Sequence, residues 1–218
     1  MYTSGTTGRS KGAQLCHRNL VSNTEVLKDF WQFTAEDVLL HMLPIYHTHG
    51  LFVACNLLAF VGGTMIFLPK FDADAALSWM PKATSMMGVP TFYTRLLADA
   101  RFDAELTAHM RLFISGSAPL LAETHKQFEA RTGKKILERY GMTETNMSTS
   151  NPYDGDRIAG TVGVPLRPGV PGAASTSTSR VVSSRVAQTS MPWLLKPAKL
   201  RGFVLANTIT FFPARPSG

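Results

Sequence analysis

Residues 2–13 read Tyr-Thr-Ser-Gly-Thr-Thr-Gly-Arg-Ser-Lys-Gly-Ala, and the interpretation of the whole chain starts from this stretch. A loop of this composition offers bare backbone N–H groups, hydroxyl donors and two cations to a polyphosphate. It is not a Walker A loop, because Lys11 lies between Ser10 and Gly12 instead of following Gly and preceding Ser or Thr. The alternative is a flexible Gly/Ser linker. A helix-like segment follows at once, which favours the phosphate-binding loop.

Strand-like and helix-like segments alternate from residue 13 to about residue 145. Helical spacing of apolar residues and local cap signals predict helices at 17–33, 50–61, 72–80, 90–100 and 120–131. Short apolar runs predict strands at 38–43, 64–68, 86–89, 111–114 and 135–140. This alternation predicts an α/β fold, with a mainly parallel sheet and flanking helices. Open sheets of this kind bind ligands at the carboxyl ends of their strands.

Charge is unevenly distributed along the chain. The formal net charge is +7, but residues 157–218 contain eight Lys and Arg and no acidic residue. Beyond about Pro171 the sequence is rich in Ser and Thr and has no helical or strand period. We therefore expect a partial domain of residues 1–170 and a low-complexity, irregular basic tail of residues 171–218. The tail is interpreted as a frameshifted or non-homologous segment, and the alternative is a genuine disordered tail.

Composition excludes several classes of protein. Because the excess positive charge is confined to the tail, it does not indicate a nucleic-acid-binding face. Cys16 and Cys55 are too few for a disulfide framework in 218 residues, so we expect a reducing compartment and two small packing residues. The longest apolar run, residues 50–63, is too short to span a bilayer. It predicts a buried helix.

Three further motifs follow the first stretch along the chain. They are Leu43-Pro44-Ile45-Tyr46-His47, Ser115-Gly116-Ser117-Ala118-Pro119-Leu120 and Tyr140-Gly141-Met142-Thr143-Glu144-Thr145. With residues 2–13 they resemble, in the same order, the signatures of the adenylate-forming superfamily of acyl-CoA synthetases, luciferases and peptide-synthetase adenylation domains. Residues 2–170 look most similar to malonyl-CoA synthetases. The resemblance implies a fragment of the large N-terminal domain of such an enzyme, without either end.

The resemblance implies an acid–thiol ligase. A carboxylate would attack the α-phosphate of ATP in the presence of Mg²⁺, and coenzyme A would then displace AMP. An anion that approaches a polyanion needs charge neutralisation and alignment. By resemblance, the β- and γ-phosphates would be held by Thr3, Ser4, Thr6, Thr7 and Lys11, and Gly5 and Gly8 would also bind ATP. The remaining ATP-binding residues would be Gly116, Ser117, Ala118, Pro119, Tyr140, Gly141, Met142 and Thr143.

Roles within this implied site differ. Residues 116–119 would form one wall of the adenine slot, and Tyr140 would stack on the other. Glu144 would bind Mg²⁺, since a cation that bridges phosphates typically takes only one or two protein carboxylates. Thr143 would bond to the α-phosphate. The implied catalytic residues are Lys11, His47, Thr143 and Glu144.

The acid would bind beside His47. Arg95 could pair bidentately with a second carboxylate, which would select malonate or methylmalonate over a fatty acid. Thr48 and Met147 would bound a small pocket. The alternative substrate is a long-chain or aryl acid. The pair Glu138-Arg139 replaces the small polar pair that commonly precedes this tyrosine elsewhere in the superfamily.

The remaining histidines have simpler interpretations. A metal site built from His41, His47 and His49 is disfavoured, because the spacing matches no zinc pattern and no Cys or acid accompanies them. Three others are expected to be exposed on helices or loops: His17, His109 and His125.

The family carries a catalytic lysine near its C-terminus, and no matching segment occurs here. The alternative function is therefore a catalytically incomplete fragment that at most binds nucleotide. The expected partners are ATP, CoA and a small carboxylic acid, with no nucleic acid and no transmembrane segment. Met1 stands inside a family domain and no signal peptide precedes the first motif. The expected location is the cytoplasm, or the mitochondrial matrix if the true N-terminus lies upstream.

Overall fold

The computed structural model describes residues 1–3 and 11–166, and these residues form an α/β domain. Its main sheet has seven strands in the order β4-β3-β5-β6-β7-β8-β9. The strands from β3 to β7 pair in parallel, whereas β8 and β9 are antiparallel to their neighbours. The predicted fold class, a mainly parallel sheet with flanking helices, is confirmed.

The elements are short. The strands of the main sheet are β3 (Val38–His41), β4 (Thr64–Phe67), β5 (Ser85–Gly88), β6 (Leu112–Ser115), β7 (Leu137–Met142), β8 (Asn146–Ser150) and β9 (Val164–Pro165). The α-helices are α1 (His17–Phe30), α2 (Asn56–Val61), α3 (Ala73–Trp79), α4 (Pro90–Leu97) and α5 (Ala122–Thr132). A π-helix spans His49–Cys55, and a 3₁₀-helix spans Met80–Lys82.

Two hydrophobic clusters cover the two faces of the sheet, because successive side chains of a strand point to opposite faces. Leu40, Ile66, Met86 and Phe113 belong to the cluster that includes residues of α3, α4 and α5. Leu39, Met65, Met87 and Leu112 belong to the cluster that includes residues of α1, the π-helix and α2. The parallel strands are therefore buried on both faces, which explains their nearly continuous apolar sequences.

Local signals in the sequence fix several helix ends. Asp72 accepts a hydrogen bond from the backbone N–H of Ala75 at 2.9 Å and caps α3. Pro90 occupies the first turn of α4, where its missing N–H has no helical partner to lose. Gly133 ends α5 with a φ of +70°, a left-handed conformation that glycine adopts without strain.

Three expectations are corrected. The first helix ends at Phe30 instead of Phe33, because the chain turns at Gln32, whose φ is +53°. The predicted buried helix of residues 50–61 begins with π-helical turns and becomes α-helical at Asn56. His125 is not exposed: it is 2% accessible, because it lies on the sheet-facing side of α5 with Nδ1 3.6 Å from Oε1 of Glu138. His17 and His109 are exposed.

Several predictions concern parts of the chain that the structure does not describe. The short strands β1 (Tyr2–Thr3) and β2 (Lys11–Gly12) pair in antiparallel fashion on either side of residues 4–10. The phosphate-binding roles of residues 4–8, the boundary at residue 170 and the nature of the tail lie outside the described residues.

Cys16 and Cys55 are free thiols. No helix among the described residues has the length and apolar character needed to cross a membrane.

Candidate functional site

A cavity of about 440 Å³ opens near the carboxyl ends of β3, β6 and β7. Loops that follow parallel strands meet at one edge of a sheet, so separate motifs can converge there. The residues that line the cavity are Tyr2, His47, Thr48, Ser117, Arg139, Gly141, Met142, Thr143, Glu144 and Met147. It is the meeting point of the motifs that were identified in the sequence.

Some of the site residues predicted from the sequence have side chains that the structure describes. Most of these residues line the cavity. His47 and Thr48 come from the segment after β3, and Ser117 comes from the loop after β6. Thr143 and Glu144 lie in the turn between β7 and β8. The parallel pairing therefore joins groups that are up to about a hundred residues apart in sequence. Their functional roles stay predictions.

Other predicted residues lie elsewhere. Arg95 is exposed on α4, and its guanidinium lies 4.8 Å from the centroid of the Phe71 ring instead of lining the cavity. Ala118, Pro119 and Tyr140 are exposed and do not line the cavity either. Their roles in binding acid and adenine stay predictions. Nothing is described of the side chains of Thr3 and Lys11.

Arg139 also lines the cavity, although the sequence did not indicate it as a binding group. It is 3% accessible and lines the cavity from β7. Its Nε and Nη2 atoms are buried and have no hydrogen-bond partner among the described residues. Burial lowers the pKa of Arg139 to about 9, which leaves the guanidinium charged at neutral pH. The one sequence feature that pointed to Arg139 is the pair Glu138-Arg139, which replaces the small polar pair that commonly precedes this tyrosine elsewhere in the superfamily.

Strand alternation and a glycine explain how Arg139 reaches the cavity. Glu138 points to the opposite face of β7, where Oε1 accepts a hydrogen bond from the N–H of Gly160 at 3.2 Å. Arg139 lies against Gly116, where any added Cβ would come within 2.6 Å of Nε and overlap the guanidinium carbon. Gly116 therefore provides the space into which the cation fits.

The histidines beside Arg139 favour their neutral forms. Burial, together with the charge of Arg139, lowers the pKa of His47 and lowers that of His49 well below its ordinary value. Burial also lowers the pKa of His41 to about 4. Among Arg139 and these three histidines, the positive charge at neutral pH is thus carried by Arg139.

The turn after β7 is held in a defined shape. A Cβ at Gly141 would overlap the carbonyl oxygen of Asn146, so only glycine fits this close approach. Asn146 has a φ of +53° and accepts a hydrogen bond at Oδ1 from Thr48 Oγ1 at 3.1 Å. Asn23 of α1 donates from Nδ2 to the carbonyl oxygen of Met147 at 2.9 Å, and its Oδ1 accepts from the Met147 N–H at 3.2 Å. The cavity wall is therefore preorganised.

Glu144 is the residue whose chemistry suits a divalent cation. Its side chain is exposed at the cavity, and no cluster of three or more His, Cys, Asp or Glu occurs among the described residues. A single carboxylate fits Mg²⁺ that is bound mainly through phosphates, and does not fit a metal site made of protein ligands alone.

Known proteins resemble this chain in both fold and sequence. ATP-bound MatB from Rhodopseudomonas palustris matches with a TM-score of 0.75 and 67% identity, over 77% of this chain and 33% of that one. A malonyl-CoA ligase in a ternary product complex with methylmalonyl-CoA and AMP matches with a TM-score of 0.72 and 44% identity, over 76% and 37%. Mouse mitochondrial malonate–CoA ligase ACSF3 is 42% identical over 185 residues, which cover 78% of this chain and 32% of the relative.

The architecture is that of part of the N-terminal domain of adenylate-forming enzymes. The family model described as AMP-binding enzyme matches residues 1–172, and the chain belongs to that family. It spans about a third of the length of the relatives that it matches.

Proposed function

We propose that residues 1–170 form the acid- and nucleotide-binding part of an acyl-CoA ligase that activates malonate or methylmalonate with ATP–Mg²⁺ before transfer to coenzyme A. The observation that carries the proposal is Arg139, a buried cation without an acidic partner among the described residues, in the same cavity as Thr143 and Glu144. Burial of an unpaired charge is costly, and a bound anion would supply the opposite charge.

The cavity suits the first step of that reaction. The attacking carboxylate and the phosphates are both anionic, so their approach depends on positive charge and alignment. Arg139 would hold the acid, and Glu144 would hold Mg²⁺, which neutralises phosphate charge when bound. Thr143 lies between them in sequence and supplies a hydroxyl donor. Neutral His47 lines the same cavity and could donate a hydrogen bond to the reacting carboxylate.

Arg139 also supports the preference for a dicarboxylate. One carboxylate of malonate must remain free to attack, and the other could pair with the guanidinium of Arg139, a group whose planar fork suits a carboxylate. A fatty or aryl monocarboxylic acid would leave this buried guanidinium without an anion. Sites built around a buried polar group reject ligands that lack its partner strongly.

The second candidate function is that of a catalytically incomplete fragment that at most binds nucleotide. It is favoured by the length of the chain, about a third of the relatives it matches. Binding and turnover separate the two candidates. Calorimetric titration with malonate and MgATP measures binding, and release of pyrophosphate measures activation. Binding without pyrophosphate release would indicate the fragment, and no malonate binding at all would refute the proposal. Octanoate and benzoate are the competing acids.

The proposed role of Glu144 gives one prediction. Glu144→Gln should weaken Mg²⁺-dependent ATP binding by about tenfold or more, because a contact between ionised groups contributes about 1.5–3 kcal/mol. The measurement is the ATP dissociation constant with and without Mg²⁺. Glu25→Gln is the matched control, since Glu25 is exposed on α1, away from the cavity. If both variants bind MgATP like the wild type, Glu144 does not hold the cation.

A second prediction concerns Gly116. Gly116→Ala should lower malonate affinity by about tenfold or more, because the new methyl group must displace the guanidinium of Arg139. The free energy of unfolding should fall by no more than about 1–3 kcal/mol. Titration and urea denaturation measure the two effects. Gly133→Ala is the control for a lost glycine, since a Cβ there meets nothing within 4 Å. It should affect stability and leave affinity unchanged.

A further inference from the structure

His49 has no assigned role, yet it contacts the cavity residue Ser117. It is 1% accessible, and its Nδ1 atom lies 3.2 Å from Oγ of Ser117. Its Nε2 atom is buried and has no hydrogen-bond partner among the described residues. The imidazole is therefore fixed by a single polar contact, and that contact is made to a hydroxyl group that lines the cavity with Arg139.

The π-helix holds His49 at this position. Gly50 allows the close approach on which the turn depends, because a Cβ there would overlap the carbonyl oxygen of Pro44. Residues 48 and 49 each bind a residue with left-handed backbone across the cavity: Thr48 binds Asn146, with a φ of +53°, and His49 binds Ser117, with a φ of +68°. Such conformations in residues other than glycine are costly and cluster at binding sites.

The position of the proton on the His49 ring determines whether the Ser117 hydroxyl donates to His49 or accepts from it. Burial and the neighbouring charge of Arg139 lower the pKa of His49, so the ring is neutral and carries one N–H. If the proton were on Nε2, a donor would be buried without an acceptor, and the hydroxyl hydrogen of Ser117 would be used on Nδ1. If it is on Nδ1, the ring donates to Oγ and leaves the hydroxyl hydrogen free for the cavity.

We infer that His49 is a positioning residue that donates from Nδ1 to Ser117 Oγ and so turns the Ser117 hydroxyl hydrogen toward the carboxylate that pairs with Arg139. The inference rests on the proposed function, because it takes the ligand in the cavity to be a dicarboxylate. Arg139 and Ser117 would then give one carboxylate both a cationic fork and a neutral donor.

The tautomer can be measured without any ligand. Long-range ¹H–¹⁵N correlation spectra of ¹⁵N-histidine-labelled chain distinguish the two neutral forms, and loss of one set of signals in His49→Asn assigns His49. We expect the Nδ1–H form, and we expect Ser117→Ala to shift its resonances. The Nε2–H form would overturn the inference and would leave the proposed function intact.

Malonate affinity tests the consequence. His49→Leu should weaken malonate binding by about 10- to 100-fold, as for the loss of a hydrogen bond to a charged group. His49→Asn should retain most of the malonate affinity, because its amide N–H can replace Nδ1–H. His17→Asn is the control, since His17 is exposed on α1. In a Ser117→Ala background, His49→Leu should add no further loss. An equal loss in both backgrounds would refute the positioning role, and a wild-type chain that binds no malonate would refute the proposed function.

Discussion

Arg139→Met is expected to abolish detectable malonate binding while leaving the free energy of unfolding equal to or above that of the wild type. Removal of one partner from a buried, hydrogen-bonded charge pair typically costs about 2–5 kcal/mol of binding energy. Among the described residues, however, Arg139 has no acidic partner, and two of its buried nitrogens have no hydrogen-bond partner. An apolar side chain of similar length removes that cost of desolvation and packs in the same space. Titration and urea denaturation measure the two quantities.

The opposite signs of these effects make the prediction specific. A structural arginine would lose stability on substitution, whereas a ligand-binding arginine loses only affinity. Arg139→Lys should restore charge without the bidentate fork and recover part of the affinity. Arg95→Gln is the matched control, since Arg95 is an exposed arginine beside Phe71. If Arg95→Gln removes malonate binding and Arg139→Met does not, the assignment of the acid site to Arg139 is wrong.

Asp37→Ala is expected to lower the free energy of unfolding by about 3–5 kcal/mol. Asp37 is 3% accessible and accepts hydrogen bonds from Arg111 Nε at 2.6 Å and Arg111 Nη2 at 2.7 Å. It also accepts from Thr84 Oγ1 and the backbone N–H of Thr34, each at 2.8 Å. These contacts join the amino ends of three parallel strands. The substitution would leave the Arg111 guanidinium, between the rings of Phe33 and Tyr153, without its anion.

The same group should make stability depend on pH. Burial alone would raise the pKa of the Asp37 carboxyl, but the contacts with Arg111, Thr34 and Thr84 lower it below its ordinary value. Because the folded-state pKa is depressed, the stabilisation is present above the unfolded-state pKa of about 3.9 and is lost as the pH falls through the folded value. The difference between wild type and Asp37→Ala should therefore narrow between about pH 5 and pH 3.

Asp74→Ala is the control for Asp37→Ala. Asp74 pairs with Arg101 on the surface, and both side chains are more than half exposed, so the midpoint of denaturation should stay close to that of the wild type. Malonate affinity should be unaffected in both variants, because Asp37 lies at the edge of the sheet opposite the cavity. A loss of affinity without a loss of stability in Asp37→Ala would contradict this assignment.

The βα alternation of the sequence was sufficient for the parallel part of the fold. Runs such as 64–68 and 86–89 correspond to β4 and β5 because strands buried on both faces need continuous apolar sequence. Strand β8 was not predicted. Its sequence, Asn-Met-Ser-Thr-Ser, has only one large apolar residue, and it becomes a strand because β7 offers it backbone hydrogen-bond partners. The burial of His125 was likewise missed, because it depends on the position of Glu138 on a later strand.

The candidate site, like the fold, was predicted from the sequence only in part. The motifs gave His47, Ser117, Thr143 and Glu144, which the structure brings to one cavity. They did not identify Arg139 as a binding group, because the departure at Glu138-Arg139 does not by itself distinguish a buried arginine from a surface cation. Its burial, and the lack of a hydrogen-bond partner for Nε and Nη2 among the described residues, are visible only in the tertiary structure.

The sequence by itself determined the class of fold, the order of the motifs and the polar chemistry of the loops, because these depend on periodicity and on residues close together in the chain. The tertiary structure alone decided which side chains share the cavity, that Arg139 lacks an ion-pair partner among the described residues, and that buried His49 contacts Ser117. Those properties depend on strand order and on desolvation, and both arise only when segments distant in sequence pack together.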